Sequence, residues 1–123
     1  MLEEAAERRL LQACRDRNSR ESGHAPAGWL SPWISESRAT PDLLVEAGYG
    51  YTLNWCHDDQ PTAMRTRSGR RLWSLPYPQE LNDIPMIVAR QMDARDFFDI
   101  RKTAPPRKSY RRRLPCADFP GRV

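Results

Sequence analysis

The chain has 123 residues, enough for one domain and too few for two. With 39% apolar residues, 29% charged residues and 11 prolines, it is polar and rich in loops, and no apolar run approaches the roughly 18 residues of a membrane span. The net charge of +4 conceals an asymmetry: residues 101–123 carry eight Lys and Arg against Asp118 alone, whereas residues 1–100 hold 12 basic and 15 acidic side chains.

The first residues, Met1-Leu2-Glu3-Glu4-Ala5-Ala6-Glu7, are acidic and lack the apolar stretch of a signal peptide, so a cytoplasmic location is the default expectation. Cys14, Cys56 and Cys116 form no CxxC pair and are odd in number, which argues against a disulfide framework or a structural zinc site.

Residues 3–18 are expected to be helical, with Glu early and Arg late along the helix dipole. The turn formers Asn18 to Gly23 end that element. Pro26 to Ile34 is expected to hold a short strand that leads into a loop. A second helix follows, with Thr40 as N-cap, Pro41 at the first helical position, Leu43, Leu44 and Ala47 as the apolar face, and Gly48 as the stop. Tyr49–Trp55 then reads as a strand. Strand, helix, tight turn and strand make a βαβ unit, so the chain is expected to be an α/β protein with parallel strands.

Beyond Pro61, the charged excursion Arg65–Arg71 reads as a solvated loop or hairpin tip. Leu72–Pro76 alternates apolar and polar residues and reads as a third strand. Tyr77–Pro85 is irregular, and Met86–Gln91 is expected to make a short helical turn. Asp93 caps a helix from Ala94, with Asp96 in a capping-box position. Pro105-Pro106 ends it. Residues 103–123 show no apolar periodicity and are expected to be a disordered basic tail.

The most concentrated chemistry lies at Asn54-Trp55-Cys56-His57-Asp58-Asp59-Gln60-Pro61, at the end of a predicted strand. The ends of strands are where α/β proteins place their sites. His57, Asp58 and Asp59 have three open roles: an acid/base or ligand set, one wall of a pocket, or a solvated loop. Cys56 and His57 are sequence neighbours that would point apart on a strand, which argues against a nucleophilic pair. Trp29 and Trp55, near strand ends, could line a site rim, whereas Trp73 reads as core. His24 sits in a Gly-His-Ala-Pro turn. The Arg111-Arg112-Arg113 run could contact polyanions, with only Tyr110 interleaved and no fold motif for specific base readout.

Four segments carry a resemblance: Gly28-Trp29-Leu30-Ser31-Pro32, Thr40 to Tyr49, Trp55 to Pro61, and Pro76 to Pro85. In their order and spacing, the chain resembles the polysaccharide deacetylase family with the NodB-type domain, and its allantoinase-like branch, over roughly residues 3–100. The resemblance implies a partial (β/α) barrel with about three strands and intervening helices. It implies hydrolysis of a non-peptide C–N bond in a small amide or N-acetylated sugar. It also adds Glu80, Asn82 and Asp83 to Trp29, Trp55, His57, Asp58 and Asp59 as substrate-binding candidates, with turn formation before Ile84-Pro85 as the plain structural role of the first three.

The family's machinery is an aspartate base, a metal held by an aspartate and two histidines four apart, and a late histidine acid. In such a site the metal activates water and the carboxylate takes its proton. This chain has no TFDDG-like segment, no paired histidines and no late Leu-x-His, and Trp29-Leu30-Ser31-Pro32 replaces the Arg-x-Pro motif. No catalytic residue and no cofactor are therefore expected in this chain. A divalent metal such as zinc belongs to the complete family domain. The expectation is a middle segment of the barrel, truncated or frame-shifted where the basic tail begins and prone to self-association through open edges. The competing reading is a non-catalytic binding protein whose basic tail associates with polyanions.

Overall fold

The computed structural model describes residues 3–57, 60–77, 82 and 84–103. It divides into two compact units, the first ending at Tyr77 and the second beginning at Pro78. The first unit is mixed α/β. In chain order it contains α1 (Glu4–Ser22), β1 (Gly28–Trp29), a 3-10 turn (Pro32–Ile34), α2 (Thr40–Glu46), β2 (Tyr51–Thr52), β3 (Thr62–Arg65) and β4 (Arg71–Ser74).

The predicted βαβ unit is present. β1 pairs in parallel with β2, and α2 lies in the connection between them. β2 pairs in parallel with β4, and β3 returns antiparallel to β4, giving the order β1-β2-β4-β3. The sheet thus has four strands where about three were expected, and it is open. The strand absent from the sequence reading is Thr62–Arg65. Its four residues are too short and too mixed to show alternation, and its pairing with Arg71–Ser74 makes a hairpin of what reads as a charged excursion.

Register sorts the side chains into two faces, because successive strand residues point to opposite sides. Trp29, Thr52, Ser74 and Thr62 form one row, and Gly28, Tyr51, Trp73 and Ala63 form the other. The first row shares its face with Leu72 and Met64, and this face carries the core. Leu11 of α1, Leu43, Leu44 and Val45 of α2, Tyr49 and Leu72 are buried together, with Trp29, Ala39, Ala47 and Met64 packed on them. Full burial of each Leu is worth about 2 kcal/mol. On the opposite face, the Tyr51 ring lies over Gly28 so closely that a Cβ there would meet its Cε2 at 2.1 Å.

Three boundaries differ from expectation. α1 runs on to Ser22 because Asn18 Nδ2 and Ser22 Oγ donate back to the carbonyls of Cys14 and Asn18, at 2.9 and 2.7 Å, instead of breaking the helix. Gly23, in the left-handed conformation, then stops it. Thr40 is the first residue of α2 rather than its cap. Ala39 holds the cap position, while the Thr40 hydroxyl accepts from Ser37 N–H at 2.8 Å and donates to Glu7 of α1. β2 is confined to Tyr51–Thr52. Tyr49 belongs to the helix stop, where its N–H reaches Leu44 O at 2.9 Å and Gly48 N–H reaches Val45 O at 3.1 Å. These two bonds make a Schellman motif, and Tyr49 and Leu44 meet in the core beneath it.

Outside the core, Glu4 and Arg8 of α1, Glu46 of α2 and Arg67 of the β3–β4 turn close a ring of four ion pairs. The Arg67 backbone N–H also donates to Asp42 at 2.7 Å. The hairpin tip is thereby tied to both helices.

In the second unit, Ile84–Ala89 forms a π-helical turn and α3 spans Ala94–Thr103. The capping box expected at Asp93 is present: Asp93 Oδ1 accepts from Asp96 N–H at 2.9 Å, and Asp96 Oδ2 accepts from Asp93 N–H at 3.1 Å. Residues 104–123, and with them most of the expected basic tail, lie outside the described residues. No helix among the described residues is long and apolar enough to cross a membrane.

Candidate functional site

β1, β2 and β4 are mutually parallel along β2, so the segments after Trp29, Thr52 and Ser74 leave the sheet at the same edge. The polar and aromatic residues that follow these strands meet there.

Asn54, almost fully buried, is the hub of this edge. Its Oδ1 accepts from Ser31 N–H at 2.8 Å, and its Nδ2 donates to Ser31 Oγ at 2.9 Å and to Glu36 Oε2 at 2.7 Å. Trp29 Nε1 donates to the same Ser31 hydroxyl at 2.8 Å. The other Glu36 oxygen, Oε1, accepts from Trp55 Nε1 at 2.7 Å. The Trp55 indole in turn lies near-parallel to the His57 ring, with centroids 6.4 Å apart and planes inclined by 29°. A continuous chain of contacts thus runs Trp29–Ser31–Asn54–Glu36–Trp55–His57.

The loop that delivers Glu36 is strained. Trp33 and Ile34 both have φ of 55°, a left-handed conformation unfavourable to any side chain and most of all to a β-branched one. His57 shares this feature, with φ of 45°. Such residues cost about 1–3 kcal/mol each and persist where their surroundings hold them. Here the holding bonds are visible: Asn54 grips Ser31 before the turn and Glu36 after it.

The predicted residues occupy different settings. Trp29 is on the helix side of the sheet, edge-on to Tyr49 at 5.5 Å and packed against the core. Trp73 lies on the other face, in the row with Tyr51. Trp55 and His57 are exposed at the strand-end edge, and Trp33 is 87% exposed in the strained turn. Cys56 Sγ donates to Tyr77 O at 2.8 Å, a carbonyl and not a base. Asn82 belongs to the second unit, where its Oδ1 accepts from Ile84 N–H at 3.4 Å and its carbonyl from Met86 N–H at 3.1 Å, a turn-forming arrangement. Asp58, Asp59, Glu80 and Asp83 lie outside the described residues.

Sequence reasoning missed Glu36, and it named Ser31 and Asn54 only within longer segments, not as site residues. Glu36 stands between two serines in a loop with no motif around it. Its part in the site comes from contacts 18 and 19 residues away. Among the described residues, no three His, Cys, Asp or Glu side chains are placed to hold a metal ion. A shallow groove of about 300 Å³, lined by Arg8, Arg9, Gln12, Glu46 and Ala47, lies in the helix layer and not at the strand ends.

Solved structures similar to this fold include an allantoinase and a polysaccharide deacetylase. The crystal structure of Puue allantoinase matches 82% of the chain at 25% identity, with a TM-score of 0.70. The crystal structure of a protein assigned as a polysaccharide deacetylase from Mycobacterium smegmatis matches 68% of the chain at 27% identity, with a TM-score of 0.63. The chain spans 34% and 29% of their respective lengths, about a third of each. No family profile matches the chain, and no curated protein matches its sequence.

Proposed function

We propose that the chain is the substrate-binding portion of a C–N hydrolase of the polysaccharide deacetylase and allantoinase kind, and that the strand-end edge from Trp29 to His57 is one wall of its site. The observation that carries this reading is the coincidence of two facts. The chain is similar to a polysaccharide deacetylase and an allantoinase in structure. A polar network centred on the buried Asn54 sits, among the described residues, at the strand-end edge where such α/β folds bind ligands. The substrate class is a small cyclic amide or an N-acetylated sugar. An exposed indole beside an imidazole offers a ring ligand a stacking surface, and the buried Asn54 amide and the half-buried Glu36 carboxylate behind it fix that surface.

Binding rather than turnover is assigned to this chain's own residues. It has two histidines, His24 and His57, too far apart for a paired-ligand motif. Calorimetric titration with allantoin and with di-N-acetylchitobiose tests the reading. Binding of either, abolished by Trp55→Ala, supports it; absence of heat with both, in a folded chain, overturns it.

The second reading is a polyanion-binding protein. It draws on the eight Lys and Arg that residues 101–123 set against one Asp. DNA retention that weakens steeply with salt and vanishes on deletion of residues 101–123 would favour it.

A further inference from the structure

The Glu36 carboxylate has no part in the core. It is half-buried, carried by a turn with two left-handed non-glycine residues, and both of its oxygens are engaged by donors from one neighbouring loop. We propose that Glu36 is a positioning residue: it fixes the Trp55 indole, and through it the Trp55–His57 stack, as the platform on which a ring-shaped amide ligand lies. This inference rests on the reading of the strand-end edge as a substrate wall.

The physical argument begins with Trp55. An indole that is 47% exposed has little packing to hold it and would exchange among rotamers. A stacking platform needs the reverse, an open face on a fixed edge. A carboxylate accepting the indole N–H supplies a strong, directional anchor, because a bond to an ionised acceptor is shorter and stronger than a neutral one. The anchor is itself anchored. The second Glu36 oxygen accepts from Asn54 Nδ2, whose amide is locked by two further bonds to Ser31. The rigidity of the buried hub is thus passed outward to an exposed ring.

Strain points the same way. Trp33 and Ile34 turn the chain back so that Glu36 reaches the β2 loop, and nothing in the core requires that path. Pre-organised platforms are a setting in which such backbone strain is retained. Glutamine at this position would present one oxygen and one amide nitrogen to two donors, so it can satisfy one of them and must repel the other.

The test uses the full chain, isotope-labelled at its four tryptophan indoles, with the Trp55 N–H resonance assigned through Trp55→Phe. Glu36→Ala should move that resonance upfield and speed its exchange with water. It should weaken binding of whichever probe the wild-type chain holds, allantoin or di-N-acetylchitobiose, by about tenfold or more. Glu36→Gln should give intermediate values of both. Circular dichroism reports whether each variant is folded. An unmoved Trp55 resonance in Glu36→Ala overturns the positioning role. A moved resonance with undiminished affinity overturns the platform role. If the wild-type chain binds neither probe, the substrate-wall reading falls and the platform with it, whereas the resonance still decides whether Glu36 holds Trp55.

Discussion

Single side chains here do work that their neighbours in sequence do not reveal. The Asn54 side chain makes three hydrogen bonds from a buried position, and both Glu36 and Ser31 depend on it. Ser74 is the contrasting case. It is fully buried at the end of β4, and its hydroxyl has no hydrogen-bond partner among the described residues. A buried hydroxyl without a partner keeps its desolvation penalty uncompensated, at about 1–3 kcal/mol. Ser74→Ala should therefore stabilise the chain by about 1 kcal/mol, read as a rise in thermal midpoint. A fall of several degrees would reveal a partner for that hydroxyl.

At the scale of elements, the α2–β2 junction sets the geometry of the sheet. Gly48 has φ of 91°, where a side chain is strained, and the added Cβ would also lie 3.3 Å from the Arg15 guanidinium. The Schellman turn it permits directs Tyr49 into the core and starts β2 two residues later, at Tyr51. Gly48→Ala should cost about 1–2 kcal/mol, measured as a lower urea midpoint with an unchanged slope. A neutral result would mean that the turn relaxes to another form. The β3–β4 hairpin matters equally, because β3 supplies the fourth strand and its tip carries Arg67 to the helices.

At the scale of the molecule, the ring of Glu4, Arg8, Glu46 and Arg67 links α1, α2 and the hairpin across the surface. The hydrogen bond from Arg67 holds the Glu4 carboxyl below its usual range, and Arg67 is correspondingly raised. The sign follows. A carboxyl with a depressed folded pKa contributes stability above its unfolded value, and that contribution is lost as pH falls through the folded value. Stability should therefore decline below the ordinary carboxylate range, at about pH 4, and added salt should blunt the decline. Arg67→Met should flatten this acid limb in urea titrations across pH. An identical limb in the variant would assign it to other carboxylates. Tyr49 acts at the other extreme. Burial raises its phenol, so its contribution is complete below about pH 10 and is lost above that as the unfolded chain ionises first.

The chain's local order was legible before any coordinates. The successive elements of the βαβ unit, the Gly48 stop and the Asp93–Asp96 box each follow from residues within a few positions of one another, and short-range backbone chemistry specifies such features. The site was legible only in part. Trp55 and His57 announce themselves as unusual residues at a strand end. Glu36 and Ser31 do not, because their significance is a set of hydrogen bonds to Asn54 and Trp55, 18 to 23 residues away. Nor does Thr62–Arg65 read as a strand until β4 lies beside it. Pairings across such separations depend on how the sheet brings strand ends together, and no local pattern encodes that.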